Sequence, residues 1–193
     1  SLSEVFKIME LSKKYNLPIL VNFFRDCSTE AISRLLGEDE VKSIQINFSG
    51  TLLNIGYHFL QFSKNIIDKK LKLTRTIELN NHKIYCCKVG EAELIAIERK
   101  LASVPENNIT FYTKNSKIVY DNENNQILKY NSSKNGIFVE EEIYSVQKIT
   151  AANLDKGFTF VYSEMVNVLQ GLNTKLPSIF DIAGLRKEFE YES

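Results

Sequence analysis

Apolar residues fall in two rhythms along the chain. Leu2, Val5, Phe6, Ile8, Met9 and Leu11 recur at helical spacing, so 2–14 reads as a helix, with Ser3 as its N-cap and Asn16–Leu17–Pro18 as its stop. ILVNFF (19–24) is a short apolar run of the kind that forms a buried strand. STEAISRLLG (28–37) reads as a helix capped by Ser28 and ended by Gly37. VKSIQINF (41–48) alternates and predicts a strand. Leu52, Leu53, Ile55, Phe59, Leu60, Phe62, Ile66 and Ile67 mark one core helix over 52–67, with Gly56 permitting close packing. HKIYCCKV (82–89) reads as a strand, EAELIAIERKLAS (91–103) as an amphipathic helix, and NITFYT (108–113) as a strand. KIVYD and NQILKY, split by the Asn-rich NENN, predict a hairpin. GIFVEEEIYSVQKI (136–149) opens like a strand and then turns ambiguous; 158–172 reads as a helix, and a short helix fits around 181–190. Strands and helices mix without a break in composition. The expected class is therefore α/β (α+β), a single domain with a mixed, largely antiparallel sheet packed with helices.

Composition narrows this picture only slightly. The 193 residues are 44% hydrophobic and 25% charged, with a formal net charge of zero. That excludes a broadly basic, nucleic-acid-coating chain but leaves room for a local patch. Three cysteines, two of them the adjacent Cys86 and Cys87, fit a reducing compartment better than a disulfide framework. No apolar run is long enough for a membrane span, and the chain opens on no secretory pattern.

A search for catalytic chemistry finds little. The glycines at 37, 50, 56 and 90 are scattered and make no phosphate loop. Of the two histidines, His58 lies in the apolar helical run and reads as a packed or surface residue. Cys86 and Cys87 point to opposite faces of a strand and complete no metal set. Glu140, Glu141 and Glu142 read as a solvated edge. What stands out is LKLTRTIEL (71–79), where Lys69, Lys70, Lys72 and Arg75 crowd together. With Lys64, Arg25 and Arg34 these cations suit phosphates, and Tyr57 or Tyr85 offers a stacking face. On composition alone, lysines complementing a helix C-terminal dipole is the better reading.

The order of segments also carries a resemblance. ILVNFFRD (19–26), TEAISRLL, IQINF, YHFLQFSKNII and above all KLKLTRT (70–76) followed by Glu78 resemble the small kinase-binding subunit of the KEOPS (EKC) complex, the PRPK-binding protein family. The resemblance implies a domain over 19–172, with 1–18 as a helical extension and 173–193 as a tail. It implies a non-enzymatic protein without cofactor or metal. Such a subunit binds the small atypical kinase of the complex, meets the other subunits indirectly, and supports threonylcarbamoyladenosine modification of tRNA. In that setting Lys69, Lys70, Lys72 and Arg75 would contact tRNA, and Phe160, Met165 and Leu169 would anchor the kinase. The location would be cytoplasmic, and nuclear in a eukaryote, with no membrane partner. A second stretch, EAISRLL with VKSIQINFSGTLLNIGYHFL (about 28–60), is similar to STAS-like regulatory domains. There a serine, here Ser49, is phosphorylated to switch partner binding.

Overall fold

The computed structural model describes residues 2–20, 28–100, 105–124, 126–132, 143–150, 157–174 and 176–190. At 2, 132, 143–150, 157–160, 188 and 190 it describes the backbone alone. Two compact units form: Ser28–Leu154, and a second built from Ser1–Cys27 with Asp155–Ser193.

The larger unit carries α2 (Thr29–Leu36), α3 (Tyr57–Ile67) and eight strands: β1 (Val41–Ser49), β2 (Leu71–Glu78), β3 (His82–Val89), β4 (Ala92–Arg99), β5 (Asn108–Thr113), β6 (Ser116–Asp121), β7 (Gln126–Ser132) and β8 (Ile143–Thr150). They form one sheet in the order β2-β3-β4-β1-β5-β6-β7-β8. The expected α/β (α+β) class, with a mixed and largely antiparallel sheet packed with helices, is what forms. β1 and β4 pair in parallel and every other neighbouring pair is antiparallel.

The topology follows from β1. Its chain leaves the sheet, packs α3 on one face and re-enters at the far edge as β2. A meander then brings β4 back beside β1. Alternation decides which side chains meet the helices. Ile44, Ile46 and Phe48 of β1, Leu94 and Ala96 of β4, Ile109 and Phe111 of β5, and Ile118 of β6 are all buried, and the strand register puts them on one face. α3 sets Phe59, Leu60 and Phe62 among them, fully buried. The Phe62 ring meets Phe111 edge-on at 6.5 Å and Tyr120 at 5.7 Å.

Four local expectations are corrected. Residues 91–103 do not form a helix; 92–99 is β4. Ala, Glu and Leu favour helices, yet AELIAIER also alternates, and Ala92, Leu94, Ala96 and Glu98 all point inward. Pairing between β1 and β3 overrides the weak helical preference. The run 52–67 is not one helix: Leu52–Gly56 is a π-turn leading into α3. LKLTRTIE is an edge strand with Leu71 and Leu73 buried, not the end of a helix. Ser28 is buried in helical conformation and makes no capping bond from its side chain. Glu140–Glu142 lie outside the described residues, as does most of 19–24.

Gly56 ends the π-turn against β1. A Cβ there would stand 2.8 Å from the Phe48 ring and 2.8 Å from Leu52 Cδ1. The sequence reading of Gly56 as a close-packing residue therefore holds. Gly56→Ala is expected to cost about 1–3 kcal/mol of unfolding free energy through overpacking, measurable by urea denaturation.

In the smaller unit, α1 (Leu2–Tyr15) packs against α5 (Ile179–Glu190), and α4 (Gly157–Leu169) precedes the latter. Ile179 donates its N–H to the Ile19 carbonyl at 2.9 Å, and Leu20 bridges Ser178. Ala183, Leu185 and Phe189 of α5 are buried. Among the described residues, no helix is long and apolar enough to cross a membrane.

Candidate functional site

A cluster of polar contacts lies where β1 turns into α3. Thr51 starts the turn. Its carbonyl accepts N–H groups from Asn54 (3.1 Å), Ile55 (3.0 Å) and Gly56 (3.3 Å), and its hydroxyl accepts from Asn54 at 3.3 Å. Glu98 reaches up from β4, and its Oε2 accepts the Leu52 N–H at 3.2 Å and the Tyr85 hydroxyl at 2.8 Å. Tyr57 is buried at the head of α3, and His58, half-buried, follows it. π-turns are rare and recur at functional sites because they re-aim the residues that follow.

Burial, and then the neighbouring Glu98 carboxylate, push the Tyr85 phenol well above its ordinary value. Tyr85 therefore stays a hydrogen-bond donor. A group whose folded pKa is raised contributes stability that is complete below its unfolded value, and loses it as pH climbs toward the folded value. The protein should thus lose stability above about pH 10, where the unfolded phenol ionises. Tyr85→Phe should flatten that alkaline loss, and at pH 7 it should cost about 1.5–3 kcal/mol for the missing charge-assisted bond. Urea titrations of both proteins at pH 7, 9 and 10.5 check this.

The residues singled out by sequence do not converge on this turn. Lys69 and Lys70 are exposed in the link after α3, and Lys72 and Arg75 are exposed on edge strand β2. A bulge between Leu73 and Arg75 brings Arg75 opposite Cys86, two residues from Lys88, which faces Lys72. Lys72, Arg75 and Lys88 therefore share the face turned away from the helices. Tyr57 and Tyr85 are buried and offer no stacking surface there. Arg34 is paired with Glu30, and Arg25 lies outside the described residues. On α4, Met165 is 47% and Leu169 86% exposed. They border an apolar groove of ≈ 390 Å³ with Leu17, Pro18, Val168 and Leu176. The Phe160 side chain lies outside the described residues. Among the described residues no group of His, Cys, Asp and Glu could hold a metal.

The sequence did not mark Glu98, and it presented His58 only as a packed or surface residue. Glu98 was hidden by the helical reading of 91–103. His58 was visible in SGTLLNIGYH, between two glycines and a helix, but nothing in the sequence marks the π-turn that sets it apart.

The fold is shared with several solved structures. The solved structures of like fold include a dehydrogenase from Chromobacterium violaceum, with TM-score 0.74 and 9% identity over 99% of this chain and 65% of that one. A dehydrogenase from Clostridium difficile gives TM-score 0.65 and 15% identity over 86% of this chain and 58% of that one. A levoglucosan dehydrogenase in complex with NADH and levoglucosan gives 0.68 and 9% over 95% and 65%. The chain thus spans about two thirds or less of the length of these proteins. No protein-family profile and no curated protein matches the sequence.

These likenesses overturn the resemblance to the KEOPS kinase-binding subunit and, with it, the expectations of tRNA processing and of a non-enzymatic role. The STAS-like alternative falls with them. Short matching segments such as KLKLTRT misled because any alternating edge strand can carry them, whereas the order of eight strands belongs to the whole fold. The tRNA contact expected at Lys69, Lys70, Lys72 and Arg75 and the kinase contact expected at Phe160, Met165 and Leu169 were assigned through that resemblance.

A nicotinamide dinucleotide, as bound in the levoglucosan enzyme, needs a turn that offers free helix N–H groups to its phosphates. The β1–α3 turn does not fit. Its Leu52, Asn54, Ile55 and Gly56 N–H groups are already engaged, and the Glu98 carboxylate stands where a phosphate would be repelled. A dinucleotide would have to be held by other residues.

Proposed function

We propose that this chain forms the substrate-facing part of an oxidoreductase acting on a hydroxyl-bearing small molecule of the sugar or polyol kind, with His58 as its proton acceptor. The observation that carries the reading is the placing of His58. It is a half-buried imidazole on the first turn of α3, directly after a π-turn, in a fold similar to that of dehydrogenases. Oxidising an alcohol releases the hydroxyl proton, and imidazole accepts protons near neutral pH. The already engaged turn and its carboxylate favour a neutral substrate over a phosphorylated one, because Glu98 repels anions at that place.

The test is a spectrophotometric assay at 340 nm, with the purified protein, NAD+ or NADP+, and a panel of aldoses, anhydrosugars and polyols. Turnover with at least one neutral sugar or polyol is expected. Absence of nicotinamide reduction across the panel, with the protein shown to be folded and to bind the dinucleotide, would count against the reading.

A further inference from the structure

We propose that Glu98 is a positioning residue for His58, fixing the Leu52–Gly56 turn in its π register; the inference rests on the role given to His58 above. Glu98 is 7% exposed and points from β4 toward the helices. Its register partner on β1 is Phe48, and its inward neighbour along β4 is Ala96. A carboxylate among such residues is costly unless its oxygens are satisfied. Here one oxygen accepts two bonds, from Leu52 N–H at 3.2 Å and from the Tyr85 hydroxyl at 2.8 Å.

The first bond falls where a helix is weakest. Leu52 is the first residue of the turn, and its N–H has no acceptor within the helix. Its carbonyl in turn accepts the N–H of Tyr57, the residue before His58. Leu52 is therefore held through both of its backbone polar groups, its N–H by Glu98 and its carbonyl by the head of α3. A π-turn holds one residue more than an α-turn, so without this anchor it can re-register by one residue, a rotation of about 100°. Phe59, Leu60 and Phe62 are locked in the core, so that shift would fall on residues 52–58. Tyr85 supports the anchor from the adjacent strand β3.

The experiment compares wild type, Glu98→Gln and Glu98→Ala in three ways: hydrogen exchange of the Leu52–Gly56 amides, carbethoxylation of His58 relative to His82 by mass spectrometry, and urea stability. The Gln oxygen can accept both bonds, so Glu98→Gln should stay within about twofold of wild type in exchange and in the His58:His82 ratio. Glu98→Ala should speed exchange of the turn by about tenfold or more and change the ratio by about fivefold. If Glu98→Ala does not fold, Tyr85→Phe withdraws one of the two bonds and should move both readouts in the same direction by about twofold to fivefold. Where turnover is present, Glu98→Ala should lower kcat while KM changes less than about threefold. Wild-type exchange and ratio in Glu98→Ala, or a Gln variant as loosened as the Ala variant, would overturn the assignment. A wild type without turnover would count against proton transfer by His58 and leave the exchange and modification results to decide the positioning role.

Discussion

His58→Asn is expected to lower kcat for oxidation of a sugar or polyol by about 10²–10⁴-fold, the usual worth of a positioned general base. Asparagine keeps a polar side chain of similar reach on the first turn of α3, so the turn and the core beneath it should persist. KM should change little, because the lost interaction is with a proton in transit rather than with the resting substrate. His82 is the natural control. It begins β3 on the strand next to the sheet edge, and His82→Asn should leave turnover within about twofold of wild type. Equal losses in the two variants would point to a general effect on the fold.

Phe62→Ala is expected to cost about 3–5 kcal/mol of unfolding free energy, the range for truncating a fully buried aromatic. The ring is 0% exposed and packs against Phe111 of β5 and Tyr120 of β6. These strands lie on the opposite side of β1 from the β2–β4 meander, so Phe62 ties α3 to the half of the sheet that the crossover does not itself reach. Collapse around the cavity is limited because Phe59, Leu60, Ile109 and Ile118 are themselves fully buried. Chemical denaturation followed by tyrosine fluorescence gives the value. A cost below about 1 kcal/mol would mean that the helix is not seated on the sheet as described.

How much of this was legible beforehand depended on whether the signal was local. α1, α2, β1, β3, β5 and the β6–β7 hairpin announce themselves by periodicity and turn residues, and they form where periodicity puts them. β4 did not. Ala92, Leu94, Ala96 and Glu98 point inward, but Ile95 and Ile97 lie on the other face. With apolar residues on both faces, alternation is blurred and helix-forming Ala, Glu and Leu prevail in a local reading. Only pairing with β1, some fifty residues away, settles the strand. The basic edge was misjudged for a related reason. Lysines after a helix suggest a dipole cap, whereas Leu71 and Leu73 alternating with Lys72 and Thr74 already spell a strand.

The candidate site was half-visible. Gly56 was correctly read as a close approach, and Phe48 is what it approaches. The π-turn was not visible, because the groups around it, the Phe48 ring beside Gly56 and the Glu98 carboxylate at the Leu52 N–H, come from distant parts of the chain or from another strand. Without it, His58 looks like one more residue on a core helix.

Binding of a sugar or polyol at the Leu52–His58 turn is the most direct test. Amide and imidazole chemical shifts should be followed by NMR as such a compound is titrated into the purified protein. The predicted result is a cluster of perturbations at Leu52–His58, extending to Tyr85 and Glu98, with His58 moving most. Perturbations confined to the Lys69–Arg75 edge or to the Met165–Leu169 groove, with residues 52–58 silent, would contradict it.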